Sequence, residues 1–250
     1  MTRDGDLTAS MGTQIAAWES VGDQRAVFLA CYLRMTDNMI LGVENGRFHD
    51  PAWVADLIHN FAGYYFTALE AYDHAAVDLP VVWQYAFDLA KEPTTPLMNH
   101  LLLGINAHIN YDLVQVLADM LEPEWSDLSP LGRKLRFDDH GMVNVVIGET
   151  IDRVQDEVVA PYARLMQFVD LAAGPLDEWC TARLIRNWRA DVWSQAITIV
   201  NTPDLPTRLT LRRQTDAIAL SRVRLMLDGG ALGARAFGYP LRWLRRLRMF

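Results

Sequence analysis

The sequence predicts an all-α fold, a single-domain multi-helix bundle of about seven to nine helices. Three observations predict it. Apolar residues recur at three- and four-residue spacings along most of the chain. The breakers Pro93, Pro96, Pro123, Pro130, Gly174, Pro203 and Pro206 fall between those runs rather than inside them, as short connections in a bundle require. Convincing period-two strand patterns are absent. With 250 residues and 51% hydrophobic content, the chain has material for a sizeable core.

In chain order, the first helical run covers roughly 12–35. At Asp50-Pro51 an aspartate able to cap free amides precedes a proline preset for the first turn, so a helix should run to about Asp73. Within it Trp53, Leu57, Phe61, Tyr64, Tyr65 and Leu69 give one strongly aromatic, apolar face, and Tyr64 and Tyr65 point in different directions. Further runs are expected over 80–91, from Thr95-Pro96 through Leu121, and over 139–172, 175–200 and 206–229. Pro161 interrupts the 139–172 run and predicts a kink or break. Residues 1–230 are read as the bundle domain and 231–250 as a basic amphipathic C-terminal extension.

The net charge of −8 is unevenly spread: from Arg208 onward the chain carries about +8, and the preceding part about −16. Such a tail can dock onto the acidic body, or it can meet nucleic acid or lipid headgroups; docking is the preferred reading, with specific nucleic-acid binding not expected and peripheral membrane contact through the C-terminus left open. Cys31 and Cys180 match neither a disulfide framework nor a metal or redox pattern. The polar N-terminus has no apolar h-region, and no run of 18 residues lacks a charge or strong polar group, so a cytoplasmic location is expected. Patterns for P-loops, dinucleotide-binding folds and nucleophile elbows are missing, which sets aside ATPase, Rossmann dehydrogenase and α/β-hydrolase chemistry.

The run from Pro96 to Leu121 carries the functional argument. It is apolar enough to be buried on several sides, yet His100, Gly104, His108 and Asp112 recur every four residues in one slanting row, with glycine leaving a space between the histidines. Asn99, Asn106 and Asn110 lie close to that row. An unpaired buried polar group costs on the order of 1 to 3 kcal/mol, so this much polarity suggests a hydrogen-bonded network or a cavity floor. Histidine and aspartate four apart can be a satisfied core pair, an acid/base centre with the carboxylate orienting the imidazole, or two ligands of one divalent cation. The H-x-x-x-D fragment looks like that of the helical zinc-dependent phospholipase C and P1-type nuclease family, but the histidines that should follow are replaced by Leu113-Val114-Gln115-Val116-Leu117. Asp138, Asp139, His140, His59 and Glu149 are the remaining metal-ligand candidates, without compelling spacing.

Two other clusters accompany the row. Asp138, Asp139, His140 and Asn144 open a long helix, where the aspartates suit its positive end; facing the first helix, Asp139 and Asn144 could line one cavity with His108 and Asp112. Arg189, between Trp188 and Trp193, could hold an anionic group or make a structural ion pair, with the tryptophans as core.

Phe48-His49-Asp50-Pro51 before a helix, Phe61-Ala62 with Tyr65-Phe66 and Ala68-Leu69, and above all Gly104-Ile105-Asn106-Ala107-His108-Ile109-Asn110-Tyr111-Asp112-Leu113 resemble the domain-of-unknown-function 5995 family of mostly bacterial helical proteins. The resemblance covers roughly residues 12–225. It implies a helical fold and makes the segment from Asn106 to Asp112 the family's hallmark, without importing an activity.

These residues lead to the expectation of a small-molecule enzyme of specialised metabolism, using acid/base chemistry for cyclisation, isomerisation or elimination of a largely apolar substrate, without a cofactor. His108 and Asp112 are its candidate catalytic pair; Asn106, Asn110, Tyr65, Asp139, Asn144 and Arg189 are candidate substrate-binding residues. A divalent-metal-dependent hydrolase of the phosphoesterase type, with zinc or another divalent metal on His108 and Asp112, is the first alternative. A non-catalytic binding or scaffold protein is the second. A homodimer is compatible with each.

Overall fold

A computed structural model describes residues 3–92, 95–159 and 175–223 of the chain. Its helices, in order, are α1 (Arg3–Val21), α2 (Arg25–Glu44), α3 (Pro51–Asp73), α4 (Val81–Ala90) and α5 (Leu97–Ala107). A π-helical turn (His108–Asp112) joins α5 to α6 (Leu113–Leu121). There follow α7 (Pro130–Val154) with a π-helical extension (Gln155–Val159), α8 (Pro175–Val200) and α9 (205–223). No strand occurs among the described residues, so the all-α bundle is the observed fold class.

Several expected boundaries move for local reasons. The run over 12–35 is two helices, because Gly22 adopts a left-handed φ of 71° that ends α1 and redirects the chain. The helix expected from 139 begins at Pro130, where proline occupies the first turn and Ser129 Oγ accepts from the Gly132 amide at 3.1 Å. The helix from Leu97 to Leu121 is continuous in direction but widens at the π-turn, which its apolar periodicity did not reveal. Pro161 and the extension 231–250 lie outside the described residues.

Long-range aspartates fix the starts of two helices. Asp50 caps α3 in the expected way, accepting from the Trp53 amide at 3.0 Å. Asp139 of α7 accepts from the His49 and Asp50 amides at 2.7 and 2.9 Å, and Asp216 of α9 accepts from the Val81 and Val82 amides of α4, both at 2.9 Å. Backbone donors otherwise orphaned at a helix start are thereby satisfied by a different element, which locks the elements together.

Two apolar cores result. The first gathers α1, the N-terminal half of α2, the second half of α3, α4 and α5, with Ala219 and Val223 of α9. The second gathers the first half of α3, Ile109 through Leu121, and α7 and α8. Residues 97–121 pass from one core to the other, which is why that stretch is apolar on nearly every side. By length and composition α2 could also cross a membrane, but Ala26, Val27, Phe28, Leu29, Cys31 and Tyr32 are spent on the first core. The described part of the arginine-rich end docks onto the acidic body: Arg208 pairs with Glu122, Arg212 with Asp119 at 2.7 Å, and Arg222 with Asp191 at 2.9 Å.

Candidate functional site

Where residues 97–121 cross between the cores, the helix opens into its π-turn, a distortion frequent at functional sites. The turn carries His108 and Asp112, and both side chains are buried, with exposures of 4% and 0%. His108 Nδ1 shares a hydrogen bond with Asp112 Oδ2 at 2.9 Å, and Trp83 Nε1 donates to Asp112 Oδ1 at 2.9 Å. The other imidazole nitrogen, Nε2, has no protein partner. Aromatic rings surround it: His108 stacks on Phe61 at 3.6 Å and 9°, with Tyr32, Phe28 and Tyr65 edge-on at 4.3, 5.8 and 6.2 Å.

Burial decides the protonation of this pair. It pushes the His108 imidazole well below its usual range and the Asp112 carboxyl well above its own, the Trp83 N–H drawing the carboxyl partly back. Both shifts favour a pair with no net charge. In such a pair one proton lies between Oδ2 and Nδ1 and another sits on Nε2, so the unpartnered nitrogen is an N–H donor.

The expected space beside Gly104 is filled. The Phe28 ring packs against this glycine so closely that a Cβ there would lie 2.5 Å from Phe28 Cδ2. Asn106 and Asn110 are fully buried, but they face α9: Asn110 Nδ2 donates to Asn106 Oδ1 at 2.8 Å, Asn106 Nδ2 donates to the Ala219 carbonyl at 3.0 Å, and Arg222 donates to Asn110 Oδ1. Their polar atoms therefore hold α9 in place. Tyr65 joins the aromatic cage, fully buried, its hydroxyl without a protein partner. Tyr64 turns the other way and donates to Asp119.

Asp139, Asn144 and Arg189 are not brought to the His108 cage. Asp139 is engaged by the backbone ahead of α3, as described above. Arg189 Nε donates to Asn144 Oδ1 at 2.8 Å, and its Nη2 donates to the His140 carbonyl and to His140 Nδ1 at 3.0 and 3.2 Å. His140 Nε2 returns a bond to the Arg189 carbonyl at 3.0 Å, with Trp193 alongside at 5.0 Å. Burial lowers the Arg189 guanidinium to about 9, still charged at neutral pH, and burial together with that cation holds His140 neutral. This network braces α7 against α8 in the second core.

The remaining metal-ligand candidates are occupied one by one: His59 by Asp4 at 2.6 Å, Glu149 by Arg47 at 2.9 Å, Asp138 by Lys134. Among the described residues no group of three His, Cys, Asp or Glu could hold a metal ion, so His108 and Asp112 gain no third ligand there. An open groove of about 810 Å³ between α3 and α6 is lined by Trp53, Asp56, His59, Tyr64 and Asp119, and His108 does not reach it.

The model of a family of unknown function, DUF5995, matches residues 5–229. The chain belongs to this family. No curated protein and no solved structure matches it. Within this DUF5995 chain the resembling motifs divide by role. Phe48-His49-Asp50-Pro51 builds the start of α3, with Phe48 in the second core, while the Gly104–Leu113 string builds the Phe28 contact, the α9 anchor and the buried dyad. Nothing local points to Trp83 or Phe28: Trp83 lies 29 residues from its carboxylate on a separate helix, and both look like ordinary apolar core residues until the helices pack.

Proposed function

We propose that this DUF5995 chain is a proton-transfer enzyme of specialised metabolism, acting on a largely apolar small molecule, with His108 as its general acid. The observation that carries the reading is a buried imidazole with one nitrogen bound to a carboxylate and the other left without a protein partner. Leaving that nitrogen unpaired costs on the order of 1 to 3 kcal/mol, which an apolar residue in the same place would avoid. In the neutral pair, Nε2–H gives its proton to an unsaturated carbon or an oxygen of the substrate. In the same step the proton on Asp112 Oδ2 moves to Nδ1, so the ring stays neutral and the charge appears on the carboxylate, where the Trp83 N–H steadies it. The rings of Phe28, Tyr32, Phe61 and Tyr65 can stabilise a positive charge developing on the protonated substrate through their faces. Such a step initiates isomerisation or cyclisation. Asp112 and Trp83 are positioning residues; His108 is the catalytic one.

Two measurements test the reading. Nitrogen-15 NMR of the histidine rings should find His108 protonated at Nε2 at neutral pH, and a ring bare at Nε2 removes the acid. With unsaturated apolar compounds in heavy water, deuterium incorporation should fall by about 100-fold or more in His108→Gln. A folded His108→Gln protein that still incorporates deuterium at the native rate overturns the assignment.

A further inference from the structure

A narrow crevice of about 20 Å³ opens at the other end of the His100–His108 row, between the start of α2, the α4 helix and α5. Three of its lining residues carry a buried polar atom with no protein partner: Gln24 Oε1, Tyr65 Oη and His100 Nδ1. Their chemistry is one-sided. His100 Nε2 bonds the Thr95 carbonyl at 3.0 Å, which can only accept, so Nε2 carries the ring proton and Nδ1 is an acceptor. Gln24 Oε1 is also an acceptor, and the Tyr65 hydroxyl can play either part. Apart from Arg25 the rest of the lining is apolar, the rings of Phe28, Trp83 and Phe87 with Ala86, Ala90 and Gly104, so a guest meets a few acceptors in an otherwise apolar wall. Arg25 stands at the mouth, but Asp23 and Asp73 hold it at 2.7 and 2.9 Å.

We infer that this crevice is the recognition site for the hydroxyl end of an apolar alcohol, whose single O–H is shared between His100 Nδ1 and Gln24 Oε1 in a three-centre bond while its carbon chain runs past Phe28 toward His108. The volume suits a single group of that size. Phe28 is the ring that separates the two places: it lines the crevice, rests on Gly104 and meets His108 edge-on at 5.8 Å. Its rotation joins them. His100 and His108 are eight residues apart on one face, about 12 Å along the helix, so the alcohol that fits has its reactive atom about that far from its oxygen. The inference rests on the acid reading of His108 for the chemistry at the far end, and on the crevice alone for the hydroxyl.

The test is calorimetric titration of the full-length protein with linear primary alcohols from butanol to decanol and with the methyl ether of decanol. Binding should be saturable, strengthen with chain length, and be at least about tenfold weaker for the ether, which lacks the donor. His100→Leu should bring the alcohol down to the level of the ether; if that variant does not fold, Gln24→Leu serves in its place and should weaken the alcohol selectively. Equal affinity for alcohol and ether, an absence of saturable binding, or a preference that survives the folded variant overturns the hydroxyl site. His108→Gln separates the two readings: it should keep the alcohol affinity while losing proton transfer. Alcohol binding as described with undiminished deuterium incorporation in that variant would remove the acid and leave the hydroxyl site standing.

Discussion

Two of the polar networks buried among the described residues, those around Arg189 and His108, lie one in each core and are satisfied to different degrees. Around Arg189 in the second core, His140 uses both ring nitrogens and Asn144 accepts the guanidinium Nε–H. Around His108 in the first core, Asp112 is held from two sides while His108 Nε2 and the Tyr65 hydroxyl are left without protein partners. A network that closes on itself stabilises and specifies the packing of its helices. One that stays open in an apolar cage costs stability and keeps a reactive atom available. The difference gives bracing to the second core and is the support for proposing chemistry in the first.

The largest expected effect breaks the brace. Arg189→Met leaves the Asn144 oxygen, the His140 carbonyl and His140 Nδ1 without their donor, and removing one member of a buried charged network costs about 3 to 5 kcal/mol. Chemical denaturation should show the midpoint falling by that amount with an unchanged m-value. A loss below about 1 kcal/mol would mean that the brace is not what holds α7 to α8.

Next in size is a pH dependence whose sign differs between the two networks. His140 is depressed by burial and by Arg189, so below about 6.5, its ordinary value, the unfolded chain takes up a proton that the folded one refuses. Its contribution is present above that pH and is lost as pH falls, by up to about 1.4 kcal/mol per pH unit. In the dyad, burial depresses His108 and raises Asp112, and the two act in opposite directions. Between the ordinary values of 3.8 and 6.5 they cancel, since the folded pair refuses one proton and retains another. Above 6.5 only Asp112 counts, and stability drops as pH rises. Denaturation from pH 4.5 to 8.5 should therefore show His140→Gln flattening the acid side alone, and Asp112→Asn flattening the alkaline side while steepening the acid side, because His108 is then no longer offset. The reverse assignment of slopes would invert the charge states argued for both sites.

A smaller effect probes the contact between the row and the cage. In Gly104→Ala the new methyl group meets the Phe28 ring inside van der Waals distance, so the ring must turn away. Overpacking of this kind costs about 1 to 3 kcal/mol. Thermal melts should register that loss, and the ring-current shift of the His108 protons should change. A native shift with native stability would mean that the methyl group is accommodated without turning the Phe28 ring.

How far the sequence could be read follows the range of the interactions. Helix periodicity and the Asp50-Pro51 start are local, and both were legible; so was the need of the polar His108–Asp112 segment for buried partners, because polarity in an apolar run is visible without a structure. The π-turn was not, since widening by one residue leaves the composition unchanged. Partners far along the chain were also hidden. Asp139 read as suiting the start of its own helix or lining a cavity and instead accepts from the His49 and Asp50 amides ahead of α3, and Asn106 and Asn110 read as substrate ligands and instead bind α9. Gly104 read as an empty space because nothing local announces that Phe28 fills it. In each case the residue type showed that a partner was needed, and only the packing of helices chose which.

The smallest expected change in stability is the sharpest test of the comparison. Replacing both members of the open pair with apolar residues, as in His108→Phe with Asp112→Leu, removes the unpartnered nitrogen and the buried carboxyl together and leaves only the Trp83 N–H without its acceptor. Exchanging both partners of a buried polar pair for apolar groups of similar shape is close to neutral, so stability should stay within about 1 kcal/mol of the native protein or exceed it. The matching double replacement in the closed network, Arg189→Met with His140→Phe, should still cost several kcal/mol, about 2 or more, because Asn144 and two carbonyls lose donors. If the His108–Asp112 replacement proves as damaging as the Arg189–His140 one, the first network is a brace like the second, and its free nitrogen has no claim to chemistry. If it is neutral while proton transfer disappears, the dyad is held in the core for the reaction rather than for the fold.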